Sequence, residues 1–283
     1  MNGINNIMNS DASAESKGVV FFAFNTADVD YVRIADLSAR LVEQHLNLPI
    51  TLITDTESDP NYNYDKVVRV EYKGSNVRTD HILKEIRQWK NYGRCTAYEH
   101  SPYDNTLLID TDYLVLDNSL LKLMDLDYDY RIMENSNSSA EGIPTRMGLV
   151  SLPYLWATVV LFRKCPRSEL FFNLIGRIQR NWGYYRNLFM VDGASYRNDY
   201  AFTMANIILN GYSEKSQNII PWKMFTVIQE VVRIDTNLQN KIIVRLMETA
   251  LTLPKHNVHI MDKDFLVSDN FAEFVEEILD APA

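Results

Sequence analysis

Leu107-Leu108-Ile109-Asp110-Thr111-Asp112-Tyr113-Leu114-Val115-Leu116 is the stretch on which the fold turns: apolar, β-prone residues run into two carboxylates and then resume. In extended backbone, residues two apart project to one side. The spacing therefore predicts a buried strand that presents Asp110 and Asp112 together at its carboxyl end. Two acids so close repel each other, and burying them is costly unless something positive lies between them. A hard divalent cation meets that need, and Mg²⁺ is usually held by one or two carboxylates plus substrate phosphates. Ligands of open α/β sheets bind outside the carboxyl ends of the strands. The bland alternative is a strand ending in a solvated acidic turn.

Upstream, Val19-Val20-Phe21-Phe22-Ala23-Phe24 is a continuous apolar run, expected of a strand covered on both faces. After the polar turn Asn25 to Asp28, the residues Ile34, Leu37, Leu41, Val42, His45 and Leu46 recur at helical spacing. Asn47 and Pro49 end that helix, and Ile50 to Asp55 is a second strand closing on an acid. This βαβ unit implies a parallel sheet with a right-handed crossover. No glycine-rich fingerprint follows the first strand, which argues against a dinucleotide-type or Walker-type phosphate loop. Val67 to Val70 reads as a third strand. Thr79 to Tyr98 reads as a mixed helix with Ile82, Ile86, Trp89 and Tyr92 as its apolar stripe. Its basic residues Lys84, Arg87, Lys90 and Arg94 read as a solvated face, although one or two could reach phosphates at the acidic strand.

Composition sets the frame. The chain has 283 residues, a formal charge of −9 and 46% hydrophobic residues, as expected of a globular α/β unit with a sizeable core. The negative balance argues against nucleic acid as a partner. Cys95 and Cys165 lack metal-type spacing, so a reducing, cytoplasmic setting is the expectation. Residues 1–17 are rich in Asn, Ser and Ala without an apolar core and read as a disordered arm. Met147 to Phe162 is too short for a membrane span, contains Pro153 and reads as core strand, so no transmembrane segment is expected.

Farther along, Ser168 to Trp182 is an amphipathic helix with Leu170, Phe171, Leu174, Ile178 and Trp182 expected inward. Trp182-Gly183-Tyr184-Tyr185 is expected to pack, with sugar stacking as the alternative. Asn135 to Ser139 and Gly142 to Arg146 read as a polar loop. Trp222 to Ile234 looks strand-like, Asn240 to Leu251 helical, and Phe271, Phe274, Val275, Ile278 and Leu279 mark a final amphipathic helix. Asn198-Asp199 is an ordinary helix start, where an acid offsets the dipole.

The succession of these segments resembles the GT-A glycosyltransferases, particularly the glycogenin-like and related families. A first strand ending Ala23-Phe24-Asn25, a second ending Thr54-Asp55 and a basic segment precede the strand ending Ile109-Asp110-Thr111-Asp112. Trp156 to Arg163 looks like the strand after the acceptor loop, Arg197 to Phe202 like the acid that opens a helix, and Asn257 to Lys263 like the late His segment. The likeness covers roughly residues 18 to 266, in order.

What the resemblance implies is a GT-A-like α/β/α sandwich with a mostly parallel central sheet, its nucleotide-sugar-binding half Rossmann-like. Residues 18–283 would form one domain, with 18–117 binding the nucleotide sugar and 118–283 supplying the acceptor half and C-terminal helices. Asp110, Asp112 and His259 would hold Mn²⁺ or Mg²⁺ on the diphosphate of a nucleotide sugar, UDP-sugar favoured. Phe24, Asn25, Thr26 and Asp55 would contact base and ribose. Lys90, Thr111 and Lys263 would meet phosphate or sugar oxygens. Asp199 would be the acid nearest the sugar, deprotonating an acceptor hydroxyl or binding donor hydroxyls. Where the families carry Asn-x-Gly, this chain has Ala157-Thr158-Val159, so Thr158 would replace only part of the missing amide. The acceptor, whether glycan, protein or small molecule, is not legible.

Two other classes fit the same tripeptide. A haloacid-dehalogenase-type phosphatase places the pair on its first strand with Thr or Val at the fourth residue after the first Asp; here the pair lies far into the chain and Leu114 fills that place. A non-catalytic nucleotide-sugar-binding scaffold differs only in turnover. A nucleotidyltransferase would need a glycine-rich basic loop after the first strand, and none is present.

Overall fold

The computed structural model describes residues 15–71, 76–79, 86–90, 92–134, 136–140, 145–147, 152–192, 195–213, 218–237 and 241–280. The chain enters through β1 (Lys17–Phe22), crosses in α1 (Tyr31–Leu46) and returns in β2 (Ile50–Thr54). β3 (Lys66–Arg69) follows, then an antiparallel pair, β4 (Val77–Thr79) and β5 (Ile86–Gln88). A 3₁₀ turn over Tyr92–Thr96 runs into α2 (Ala97–His100). Next come β6 (Asn105–Ile109), β7 (Tyr113–Leu114), α3 (Ser119–Met124), β8 (Tyr130–Met133), β9 (Ser136–Ser138) and β10 (Trp156–Arg163). Three helices follow: α4 (Pro166–Arg180), α5 (Trp182–Leu188) and α6 (Asn198–Leu209). The remainder is β11 (Met224–Val227), β12 (Val231–Asn237), β13 (Lys241–Leu246), β14 (Ala250–Pro254), β15 (Val258–Ile260), α7 (Lys263–Leu266) and α8 (Asp269–Asp280).

The central sheet has the order β3-β2-β1-β6-β10-β8. The first four strands are mutually parallel, and β10 is antiparallel to both of its neighbours, so β10 alone runs against the rest. Side chains alternate across the sheet. Val19, Phe21, Leu107, Ile109, Val159 and Leu161 face α1 through Val32, Ala35, Ala39 and Val42. Val20, Leu108, Val160 and Phe162 face α4 and α6 through Phe171, Phe172, Ile175 and Phe202. Helices on both faces explain why these strands read as unbroken apolar runs. The expected α/β/α sandwich with a mostly parallel sheet is what the chain forms.

A second sheet, β7-β15-β11-β9, and the antiparallel meander β12-β13-β14 lie beside the first. Their apolar residues Val231, Ile234, Ile242, Val244 and Val258 pack with Ile34 and Leu41 of α1 and Phe271, Phe274 and Val275 of α8. No helix among the described residues is long and apolar enough to cross a membrane.

The structure differs from several sequence expectations. The helix expected over Thr79 to Tyr98 is absent from its described parts, which form β5, the 3₁₀ turn and α2; Ile82 and Lys84 lie outside the described residues. The expected helix over Asn240 to Leu251 is instead β13 and the start of β14. Ile242, Val244 and Leu246 alternate inward, and this period of two wins over helical spacing. Leu170, expected inward, is exposed on α4. Ser136–Ser138, expected in a loop, pairs with β11, whereas 141–144 lie outside the described residues. β1 begins at Lys17, inside the expected amino-terminal arm, and Ser16 is held by Asp104; residues 1–14 lie outside the described residues.

Candidate active site

β6 ends at Ile109, so the two acids do not continue it as extended strand. The Asp110 N–H donates to the Thr158 carbonyl at 2.9 Å, and the Tyr113 N–H returns to the Asp110 carbonyl at 3.1 Å, closing a turn over Thr111 and Asp112. The turn is pinned from two sides. Ser38 Oγ of α1 donates to the Thr111 carbonyl at 2.5 Å, and the Ile260 N–H of β15 donates to the Asp112 carbonyl at 2.9 Å. This turn, rather than strand alternation, brings both acids to one place. They line an open cleft with Phe22, Phe24, Tyr31, Trp89, Lys90, Gly93, Arg94, Thr111, Ala157, Asn198, Asp199 and Lys263.

Each acid meets a cation of the chain itself. Arg94, only 4% exposed, donates through Nη1 to Asp110 Oδ1 and through Nη2 to the Ala157 carbonyl. Lys263 Nζ, at the start of α7, donates to Asp112 Oδ2 at 2.5 Å and to the Met261 carbonyl at 3.1 Å. His259 Nε2 lies 3.4 Å from the same Asp112 oxygen, and its Nδ1 lies 3.3 Å from Thr226 Oγ1. The carboxyls are driven apart. Burial pushes the Asp112 carboxyl up, but Lys263 and His259 outweigh it and hold the group well below the ordinary carboxylate range. Burial pushes the Asp110 carboxyl up to about 6 against the pull of Arg94, with Asp112 and Asp199 adding to the rise.

Asp112 Oδ1 is buried and has no hydrogen-bond partner among the described residues. An anionic oxygen left so is costly unless a cation completes it. Among the described residues, no three His, Cys, Asp or Glu side chains form a group that could hold a metal ion unaided.

The far wall is built by α6. Asp199 sits in its first turn, accepts the Ala157 N–H on Oδ1 at 3.0 Å and faces Arg197 Nη2 at 3.6 Å through Oδ2. The Ala157 backbone is thus gripped on both sides of its Cα, the carbonyl by Arg94 and the N–H by Asp199.

Of the residues singled out in the sequence, the structure brings Phe24, Lys90, Asp110, Thr111, Asp112, Asp199 and Lys263 together around the cleft. Thr26 lines a smaller adjoining cavity with Tyr31, Trp89 and Lys263. Asn25, Asp55, Thr158 and His259 are not in the cleft lining. Asn25 Oδ1 accepts the Val32 N–H at 2.9 Å and Thr26 Oγ1 the Val29 N–H at 3.1 Å, so both shape the entry to α1. Asp55 Oδ1 accepts from the N–H and Oγ of Ser58 at 2.9 and 2.7 Å, and Oδ2 faces Lys90 Nζ at 3.3 Å. Thr158 is buried and offers its carbonyl to Asp110.

Arg94, read in the sequence as solvated, proves buried, and Tyr31, Asn198 and Phe22 were not singled out. No local signal marks Arg94 in the sequence, where it stands among Lys90, Asn91, Thr96 and Glu99.

No family model matches the chain, and no curated protein does. Solved structures with a similar chain path include an active-site mutant of LgtC, at 17% identity and TM-score 0.45, covering 73% of this chain and 72% of that one. The galactosyltransferase LgtC in complex with donor and acceptor sugar analogs is similar at 17% identity and TM-score 0.44, covering 73% of each chain. The glycosyltransferase GlyE of Streptococcus pneumoniae TIGR4 is similar at 14% identity and TM-score 0.41, covering 67% of this chain and 43% of that one. In chain path, then, the protein resembles glycosyltransferase structures at low identity.

Proposed function

We propose that this chain is a metal-dependent glycosyltransferase that moves a sugar from a nucleotide-diphosphate sugar, UDP-sugar favoured, to an acceptor hydroxyl. One observation carries the proposal: two carboxylates, a buried arginine and a buried lysine converge on the floor of a cleft walled by Phe24, Tyr31 and Trp89. Aromatic walls over a charged floor suit a ligand with a flat base at one end and phosphates at the other.

The donor set fits Mn²⁺ or Mg²⁺. Both cations prefer hard oxygens, and the unpartnered buried Asp112 Oδ1 is such a donor. Asp110 and Asp112 would hold the ion, with His259 behind Asp112. When bound, the ion neutralises charge developing on a departing diphosphate. Lys263 and Arg94 supply fixed positive charge at the same floor, so negative charge arising there meets preoriented partners. Lys90 stands in the same cleft wall and adds a further cation. Asp199 and Asn198 at the start of α6 face the space beyond the acids and would bind hydroxyls of the transferred sugar. Because Asp199 already accepts from Ala157 and faces Arg197, orienting the sugar is assigned to it ahead of removing a proton.

The test is a panel of nucleotide sugars with Mn²⁺, followed by release of the nucleoside diphosphate, for the native chain and for Asp110→Asn and Asp112→Asn. Turnover should fall about 100-fold or more in each variant, in line with the loss of preorganised charge stabilisation. Undiminished transfer in both variants would refute the proposal. Binding without turnover in the native chain would indicate a scaffold, and release of phosphate from simple monoesters a phosphatase.

A further inference from the structure

The face formed by α5 and the turns that end α5 and α6 is unlike the rest of the surface. Tyr184 and Leu188 stand one helical turn apart on α5 and are 66% and 52% exposed. Met190 and Tyr212 are 54% and 57% exposed, and stacking of Phe189 on Tyr212, with ring centroids 6.2 Å apart, joins the two turn tips. Both tips also hold the backbone conformation that bulky side chains avoid, with φ of 53° at Met190 and 61° at Tyr212. Each turn closes as a helix C-terminus commonly does, with the Val191 N–H on the Arg186 carbonyl and the Tyr212 N–H on the Ile207 carbonyl, both at 2.8 Å. Glycine or asparagine serves the left-handed position of such turns at least cost. At the end of α5 the chain instead carries Met190 there and leaves it in water; at the end of α6 Gly211, with φ of 63°, takes that position, and Tyr212, also left-handed, follows it exposed. Two costs at the same two residues call for a compensating gain outside the monomer.

Charge says what supplies it. The chain as a whole carries a formal charge of −9, yet residues 177–192, from the end of α4 through α5, contain three basic side chains and a single acid, Asp192. Arg177 and Arg180 are exposed at the end of α4, whereas Arg186, half-buried and two residues from both Tyr184 and Leu188, points to the other side of α5. A folded nucleic acid offers phosphates but no medium for exposed Leu and Met tips. An interface of anionic lipid offers both, accepting apolar tips among acyl chains and arginines at headgroup depth.

We propose that this face docks the protein on the surface of an anionic lipid bilayer, with Tyr184, Leu188, Met190 and Tyr212 inserted and Arg177 and Arg180 at the phosphates. The inference stands apart from the chemistry of the cleft. Yet α5 begins at Trp182, which stacks on Tyr200 of α6 with centroids 6.1 Å apart, so the docked face adjoins the helix that supplies Asp199.

Co-sedimentation of the full chain with vesicles tests it. The native protein should pellet with vesicles of phosphatidylcholine and phosphatidylglycerol in equal parts, stay in solution with phosphatidylcholine alone, and be released by high salt. The double variant Met190→Asn, Tyr212→Asn keeps residues that tolerate the left-handed conformation but loses the stack on Phe189, so its fold is checked by circular dichroism before its vesicle affinity is read. Its vesicle affinity should fall about tenfold or more as the apolar insertion is lost. Arg177→Gln with Arg180→Gln should weaken binding to the mixed vesicles as well. A native protein that ignores both kinds of vesicle, or a double variant that binds like the native chain, overturns the proposal. So does a native dimer that dissociates in the double variant, which would mark the face as a contact between copies.

Discussion

Arg94 and Asp199 hold the two backbone polar groups of one residue, Ala157, although they come from segments more than a hundred residues apart. Arg94 takes the carbonyl of Ala157 and Asp199 takes its N–H. Ala157 lies just where the register between β10 and β8 shifts, so the irregular start of the reversed strand is fixed from both sides of the cleft.

Arg94 should therefore be structural as well as electrostatic. Arg94→Met strands the Ala157 carbonyl and leaves Asp110 without its cation; because Asp110 keeps access to solvent, the expected loss is about 2–3 kcal/mol, at the low end for a broken buried pair. Arg94→Lys retains the charge but not the planar fork, and should recover only part of that loss. Urea denaturation of the three proteins measures it.

Lys263 should antagonise a metal ion in the empty cleft. Its ammonium lies on Asp112 Oδ2, so a divalent ion arriving alone meets acids that already have partners. Lys263→Met is expected to raise Mn²⁺ affinity without nucleotide and to lower the affinity for UDP in its presence. Paramagnetic resonance of free Mn²⁺ reads the first effect and calorimetry the second. Equal Mn²⁺ affinity in native and variant protein would dispose of the idea.

Asp55 should govern part of the acid limb of stability. Burial pushes its carboxyl up, but the hydrogen bonds from Ser58 and the nearby Lys90 win and hold it below the ordinary value. A group depressed in the folded state contributes stability above its unfolded pKa of about 3.9, and that contribution is lost as pH falls through the folded value. Asp55→Asn should therefore be less stable by about 1 kcal/mol at neutral pH, as expected for lost charge-assisted hydrogen bonds. The gap should close below the acid range, which thermal melts across pH will show.

Gly18 tests the sheet. A Cβ there would come within 2.4 Å of the Tyr103 ring, which is buried and hydrogen-bonded at its hydroxyl to Thr51 at 2.9 Å. Gly18→Ala should cost about 1–3 kcal/mol, as overpacking does. A variant as stable as the native chain in denaturant would show that the ring moves aside freely.

The parts legible in the sequence are those where one local signal decides. β1, α1 and β2 are read correctly because a continuous apolar run, a helical stripe and a second run leave one arrangement. The acidic pair is found because carboxylates among Leu and Ile stand out, although a turn presents them and not a strand. What escapes is settled by distant partners. Arg94 looks like any basic residue until Asp110 and Ala157 close on it, and Trp89 belongs to a cleft wall rather than to a helical stripe. Ile242, Val244 and Leu246 fit either period until α8 and β12 claim the inward three.

The cleft also has a timetable. β15 pairs with β7, the Ile260 N–H holds the Asp112 carbonyl, and Lys263 reaches Asp112 across 151 positions of chain. A ribosome that has released β6 and its acids has still to make the strand that steadies them, so contacts of such long separation come late. Until then the acids stand on a turn missing one of its two anchors, and a nascent chain has no finished cleft.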